Sequence, residues 1–163
     1  MPPDSLNRRA CPIVFRHVID AVFTAWQARL QRFCACLLRS EHDAEEVVQE
    51  VFAQLLRRKI DGELQDPGVL LFRMARHRCI DRHRKKRPTS AADLDPATEE
   101  RRENLDLQAA LSELPATERE ALLLTAVEGL GYREVAAILG CAVGTVAARR
   151  AAAITFLRRR LSP

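Results

Sequence analysis

The sequence predicts an all-α protein: two small helical domains joined by a flexible linker, the second a four-helix domain containing a helix-turn-helix. Three observations predict it. Alanine, leucine, arginine and glutamate dominate while aromatics make up only 5% of the chain, a composition rich in helix formers and poor in strand formers. Apolar residues recur at helical spacing in each periodic segment. A polar stretch with two prolines and no such periodicity, PTSAADLDPATEERREN, separates the periodic segments into two groups. Residues 1–88, 89–104 and 105–163 are the expected first domain, linker and second domain.

Residues 1 to about 12 read as a loose leader, because Pro2, Pro3 and Pro12 oppose an early helix. Val18, Val22, Phe23, Trp26, Leu30, Phe33 and Leu37 then mark one face of a helix over 13–38. Ser40 to Asp43 reads as a short turn with Asp43 as N-cap. DAEEVVQEVFAQLLRR is the cleanest amphipathic pattern. Ala44, Val47, Val48, Val51, Phe52, Leu55 and Leu56 form its apolar face, with Glu45, Glu46, Gln49, Glu50 and Gln54 opposite. DGELQDPG breaks the pattern. VLLFRMARHRCIDRHRKKR resumes it with Leu71, Met74, Ala75 and Ile80 facing inward, and Pro88 stops it.

In the second group, Leu105, Leu107, Ala110, Leu111 and Leu114 predict a helix that stops near Pro115. PATEREALLLTAVEG predicts another, with Thr117 as N-cap, Glu120 as its capping-box partner and Gly129 as its end. YREVAAIL ends at Gly140, and VGTVAARRAAAITFLRRRL completes the domain. The last two have the needs of a helix-turn-helix. Ala136 allows a close crossing, Gly140 supplies the turn, and Val135, Leu139, Val143 and Val146 lock the pair. Thr145 is placed to cap or to touch a phosphate.

The net charge is only +4, but it is unevenly spread. Arg73 to Arg87 holds eight Lys/Arg against one acid, Asp81, and the C-terminal region holds Arg149, Arg150 and Arg158 to Arg160. Asp93 to Glu103, between them, is mainly acidic. Two basic blocks point to polyanion contact at two places. No apolar run reaches the ~20 residues of a membrane span, and no secretory leader is expected. Five cysteines at irregular spacing fit reduced thiols of a cytoplasmic protein better than a disulfide framework. Cys34 and Cys36 diverge on a helix, as do His77 and Cys79, so no metal or other cofactor is expected. No nucleophile–base pair, phosphate-cradling glycine loop or acid pair stands out, so neither an enzyme nor a small-molecule substrate is expected.

LSELPATEREALLLTAVEGLGYREVAAILGCAVGTVAARR resembles the fourth conserved region of bacterial sigma factors of the extracytoplasmic-function group. DAEEVVQEVFAQLLRR and FRMARHRCIDRHRKKRP resemble that group's second region, in the right order and at the right separation. The resemblance runs from about Val22 to Leu161. It implies an alternative sigma factor that brings core RNA polymerase to promoter DNA and is held inactive by an anti-sigma protein. On that implication Asp43, Glu46, Gln49, Glu50 and Phe52 face the polymerase clamp. Phe72, Arg73, Arg76, His77, Arg82, Arg84 and Lys85 face the minus-ten element. Arg133, Thr145, Arg149 and Arg150 face the minus-thirty-five element. An opened strand also needs a holder for an unstacked base, for which Phe72, His77 and His83 are candidates.

Four positions depart from the group. His77 stands where an Asn is common. Ala147 and Ala148 replace the usual Lys and Ser, and can offer only methyl contacts. Arg150 replaces an apolar residue and must lay its stem over the core with its head outward. Narrow base reading is expected. Two other functions compete: a sigma-like mimic that sequesters an anti-sigma protein, which the alanines permit but the basic blocks oppose, and a helix-turn-helix repressor, which leaves the acidic helix without a purpose.

Overall fold

The structure is a computed structural model describing residues 12–57, 66–85 and 99–162, with the side chains of 12–19 and 99–105 excepted. The expected leader before residue 12, most of the DGELQDPG break and the expected linker as far as Thr98 lie outside these residues. Every regular element among the described residues is helical.

The first unit has three helices: α1 (Pro12–Leu38), α2 (Glu41–Arg57) and α3 (Pro67–Lys85). Along α1, Leu30, Phe33, Cys34 and Leu37 are buried, the i, i+3, i+4, i+7 stripe of an inward face. The helix closes on Arg39, which takes a left-handed φ of 56° and donates its N–H to the Ala35 carbonyl at 2.8 Å. Ser40, not Asp43, caps α2: its Oγ accepts the Asp43 N–H at 3.2 Å. Asp43 therefore sits in the first helical turn, where its side chain faces α3. Ala44, Val47, Val48, Val51, Phe52 and Leu55 are buried as expected, but Leu56 is 53% exposed. Asp66 caps α3 by accepting the Val69 N–H at 3.3 Å, with Pro67 in the first helical position, where its missing donor costs nothing.

The second unit comprises α4 (Glu99–Glu113), α5 (Ala116–Leu122), which runs on through a π-helical turn over Leu123–Val127, α6 (Tyr132–Leu139) and α7 (Val143–Leu161). These are the four expected helices. α4 starts inside the stretch read as linker. α5 begins after Pro115 without a side-chain cap, so Thr117 does not cap it. Gly129 and Gly140 have φ of 68° and 66°, the left-handed turns that end their helices. Val146 is fully buried against α6, whereas Val143 is 43% exposed and does not lock the pair.

The two units do not stand apart. α3 packs against α6, and Ala121, Leu123, Leu124, Val135, Ile138 and Val146 join the first unit's Leu71, Phe72 and Ala75 in one continuous apolar core. A smaller cluster of Leu114, Leu122 and Ala153 holds α7 to the rest of the second unit.

Gly68 lies under Trp26, where a Cβ would meet the indole ring at 2.5 Å. Gly68→Ala should force this ring from its seat and destabilise the fold by about 1–3 kcal/mol, read as a lower urea midpoint.

Candidate nucleic-acid interface

Asp43, Glu46 and Glu50 follow one another along α2, and Arg78 and Arg82 along α3, so a row of carboxylates faces a row of guanidiniums. Arg82 donates from Nη1 to Asp43 Oδ1 at 3.2 Å and Glu46 Oε2 at 2.6 Å, and from Nη2 to Glu50 Oε1 at 2.9 Å. Arg78 donates to Gln54 Oε1 at 3.3 Å and lies 3.7 Å from Glu50. The Arg82 hydrogen bond, and then its charge, holds the Glu46 carboxyl below the usual range. The same bond raises the Arg82 pKa. Arg82, expected to face DNA, is thus engaged with three of the acids expected to face the polymerase. Gln49 remains exposed at a groove of about 340 Å³ lined by Glu46, Glu50, Ala53 and Arg57.

The two phenylalanines are core residues. Phe52 packs edge-on to Phe23 with centroids 4.7 Å apart, and Phe72, fully buried, does so to Phe33 at 5.3 Å and Trp26 at 6.1 Å. Phe72 therefore cannot hold an unstacked base, because its α3 position belongs to the inward stripe with Leu71 and Ala75. The His83 ring nitrogen Nε2 is tied to the Leu37 carbonyl at 2.7 Å. His77 is exposed and lines an open cleft of about 540 Å³ with Gln54, Leu70, Arg73, Met74, Arg78 and Asp81. His83 is exposed too, but with Nε2 tied to Leu37 and no place in this cleft, so of the three candidate base holders His77 is the one that faces an open cleft. Arg73, Arg84 and Lys85 are exposed beside it.

At the other end of the chain, Ala142 begins α7 without a side-chain cap, and Thr145 is half-buried in the first turn. Ala147 is half-buried and Ala148 exposed. Arg150 does turn its head outward, to donate to the Tyr132 hydroxyl at 3.2 Å. Arg149 Nη1 lies 3.7 Å from the Cys141 sulfur. Arg133, Arg158 and Arg159 are exposed, and Arg160 pairs with Glu113 through two bonds of 3.1 and 3.2 Å. A hydrogen bond to Cys79, and then burial, raise the Cys34 pKa, so that thiol stays neutral, and burial raises that of Cys36. No cluster of three metal ligands occurs among the described residues, and no single helix among them is long and apolar enough to cross a membrane.

A further set of charges joins the units. Arg29 on α1 donates from Nε to Glu128 Oε2 at 2.8 Å and from Nη2 to the Glu128 carbonyl at 2.6 Å. Arg32 lies 3.6 Å from the other Glu128 oxygen. Arg76 on α3 donates to Glu120 Oε2 at 2.9 Å. Glu120 is therefore no capping-box partner, and Arg76, expected to face DNA, faces the second unit.

The chain matches the family model for Sigma-70 region 2 over residues 22–89 and that for Sigma-70, region 4, over residues 104–157. The ECF RNA polymerase sigma factor EcfG of Rhodopseudomonas palustris is 33% identical over 134 residues, covering 74% of this chain and 72% of that one. The chain belongs to the ECF RNA polymerase sigma factors. SigE of Mycolicibacterium smegmatis, from the same family, is also 33% identical, and the chain spans 52% of its length. Among solved structures, the sigma factor RpoE of Bartonella quintana, in complex with the anti-sigma factor NepR, matches with a TM-score of 0.74 at 26% identity. That match covers 90% of this chain and 96% of RpoE, so the likeness to this sigma factor spans both units.

Arg29, Arg32, Glu128 and Tyr132 escaped the sequence reading, and Glu120 entered it only as a capping-box partner. One signal was available. Glu128 is an acid at the C-terminal end of a helix, against the macrodipole, and such a residue calls for a cationic partner.

Because its folded pKa is lowered, Glu46 contributes stability above the ordinary glutamate range and loses it as pH falls through the lower folded value. A carboxyl NMR titration should find Glu46 titrating below the exposed glutamates, and Arg82→Gln should move it back up. An unchanged midpoint in that variant would remove Arg82 as the cause.

Proposed function

We propose that this chain is an alternative sigma factor that directs core RNA polymerase to specific promoters. It works in the cytoplasm by binding and not by catalysis. Residues 1–88 engage the polymerase through the α2 groove around Gln49 and the minus-ten element through α3. Residues 105–163 place α7 in the major groove of the minus-thirty-five element. The observation that carries this reading is the pair of sigma regions in order, each with its own exposed basic surface: Arg73, His77, Arg84 and Lys85 on one, Arg133, Arg158 and Arg159 on the other.

Backbone contact by these side chains gives an affinity that falls steeply with salt. His77, in its cleft, receives an opened base. On α7, Arg149 and Arg150 carry the base reading, aided by Thr145, while Ala147 and Ala148 add only methyl contact. An anti-sigma protein holds the chain inactive. The complex of the related RpoE with NepR supports this. The second reading, a mimic that sequesters an anti-sigma protein, draws support from those same two alanines.

Purified chain added to core polymerase should yield specific transcripts from genomic DNA. Polymerase binding without transcripts would favour the mimic, and no polymerase binding a repressor. Ala147→Lys with Ala148→Ser should tighten minus-thirty-five binding about tenfold, the ~1–3 kcal/mol of one added base or phosphate contact, measured by fluorescence anisotropy. Unchanged affinity would mean that the alanines do not limit readout.

A further inference from the structure

Two carboxylates of the second unit sit on arginines of the first, and one of those arginines, Arg76, lies in the basic block of the proposed minus-ten surface. The Glu120 and Glu128 side chains are only 5% and 1% exposed, so both carboxylates are enclosed by the contact. Their alignment has a local cause. In an unbroken α-helix, residues eight apart are rotated by about 80°. The π turn between Glu120 and Glu128 takes up about one residue, so the eight behave as seven and both acids fall on one face.

We propose that Glu120 is an internal stand-in for DNA phosphate on Arg76, and that Glu128, docked on Arg29 and Arg32 outside the basic block, holds it there. Together they close the chain on itself and withdraw Arg76 from its nucleic-acid surface until a polyanion takes the place of Glu120. A carboxylate and a phosphate both offer a guanidinium a charged oxygen acceptor, so one can take the other's place. The proposal rests on the promoter-binding reading and extends it. The minus-ten and minus-thirty-five elements lie about 25 base pairs apart, ~85 Å at 3.4 Å per step. Two surfaces pressed together through α3 and α6 cannot reach both. The closed form is therefore one that holds no promoter, and opening it exposes Arg76.

The full chain carrying Glu120→Gln and Glu128→Gln tests this, with random-sequence single-stranded DNA as the probe. A charge-matched control carries Glu45→Gln and Asp106→Asn, two exposed acids on α2 and α4. Closure is followed by small-angle scattering and by the emission of Trp26, the chain's one tryptophan, over whose ring the Arg29 guanidinium lies at 4.3 Å. The latch variant should scatter as a larger particle, shift the Trp26 emission and bind DNA about three- to tenfold tighter than the control. The gain in affinity is the gain in the open fraction.

Arg29→Gln is the sharper arm, and it decides the matter if the double variant unfolds. It removes a positive charge, yet opening should still tighten DNA binding. Compact scattering from the latch variant, DNA affinity equal to the control's, or weaker binding by Arg29→Gln would each overturn the proposal. None of these readouts involves polymerase, so a failure of the sigma reading appears separately, as absent transcripts.

Discussion

The arrangement of this chain depends on how the Glu128 carboxylate is buried. A carboxylate at 1% exposure cannot stay ionised among apolar neighbours without a cationic partner. Arg29 supplies one: its Nε donates to the carboxylate and its Nη2 to the Glu128 backbone carbonyl, so a single guanidinium serves both the side chain and the helix end. Arg29 is itself held over the Trp26 ring at 4.3 Å, and that ring lies against Gly68 and edge-on to Phe72. A continuous line of contacts thus runs from the first unit's core to the end of the second unit's π turn.

Around α3 the consequences separate by direction. Leu71, Phe72 and Ala75 point into the core. Arg82 and Arg78 turn to the acids of α2. Arg76 turns to Glu120. Arg73 and His77 turn outward to the open cleft. One basic helix therefore holds the first unit together, docks the second and presents the proposed nucleic-acid face. Counting its arginines overstates that face, because the most engaged among them are already satisfied within the chain.

Much of the fold was legible because local rules decide it. Helical spacing located the helices that run through the described residues, and Gly129 and Gly140 were correctly expected to end theirs. The errors lie where long-range partners overrule local chemistry. Asp43 had the side chain of a cap, but Ser40 stood one turn better placed, and Asp43 went to Arg82. Glu120 had capping-box spacing but found Arg76, 44 residues away. Phe72 was marked for bases by its basic neighbours, although its spacing from Leu71 and Ala75 put it inside. The docking of the two units left almost no periodic signal, since ion pairs 99 residues apart have no local signature. The mismatch of Glu128 with the helix dipole was its one trace.

A double-mutant cycle on Arg29 and Glu128, with unfolding in urea followed by circular dichroism, tests most directly whether this pair joins the units. Arg29→Met, Glu128→Gln and the combined variant complete the cycle. If the pair is a buried coupling across the interface, the interaction free energy should be about 1.5–3 kcal/mol, with the second mutation costing little once the first is made. Additivity within ~0.5 kcal/mol would contradict the account, because it would mean the two side chains are not partners in solution.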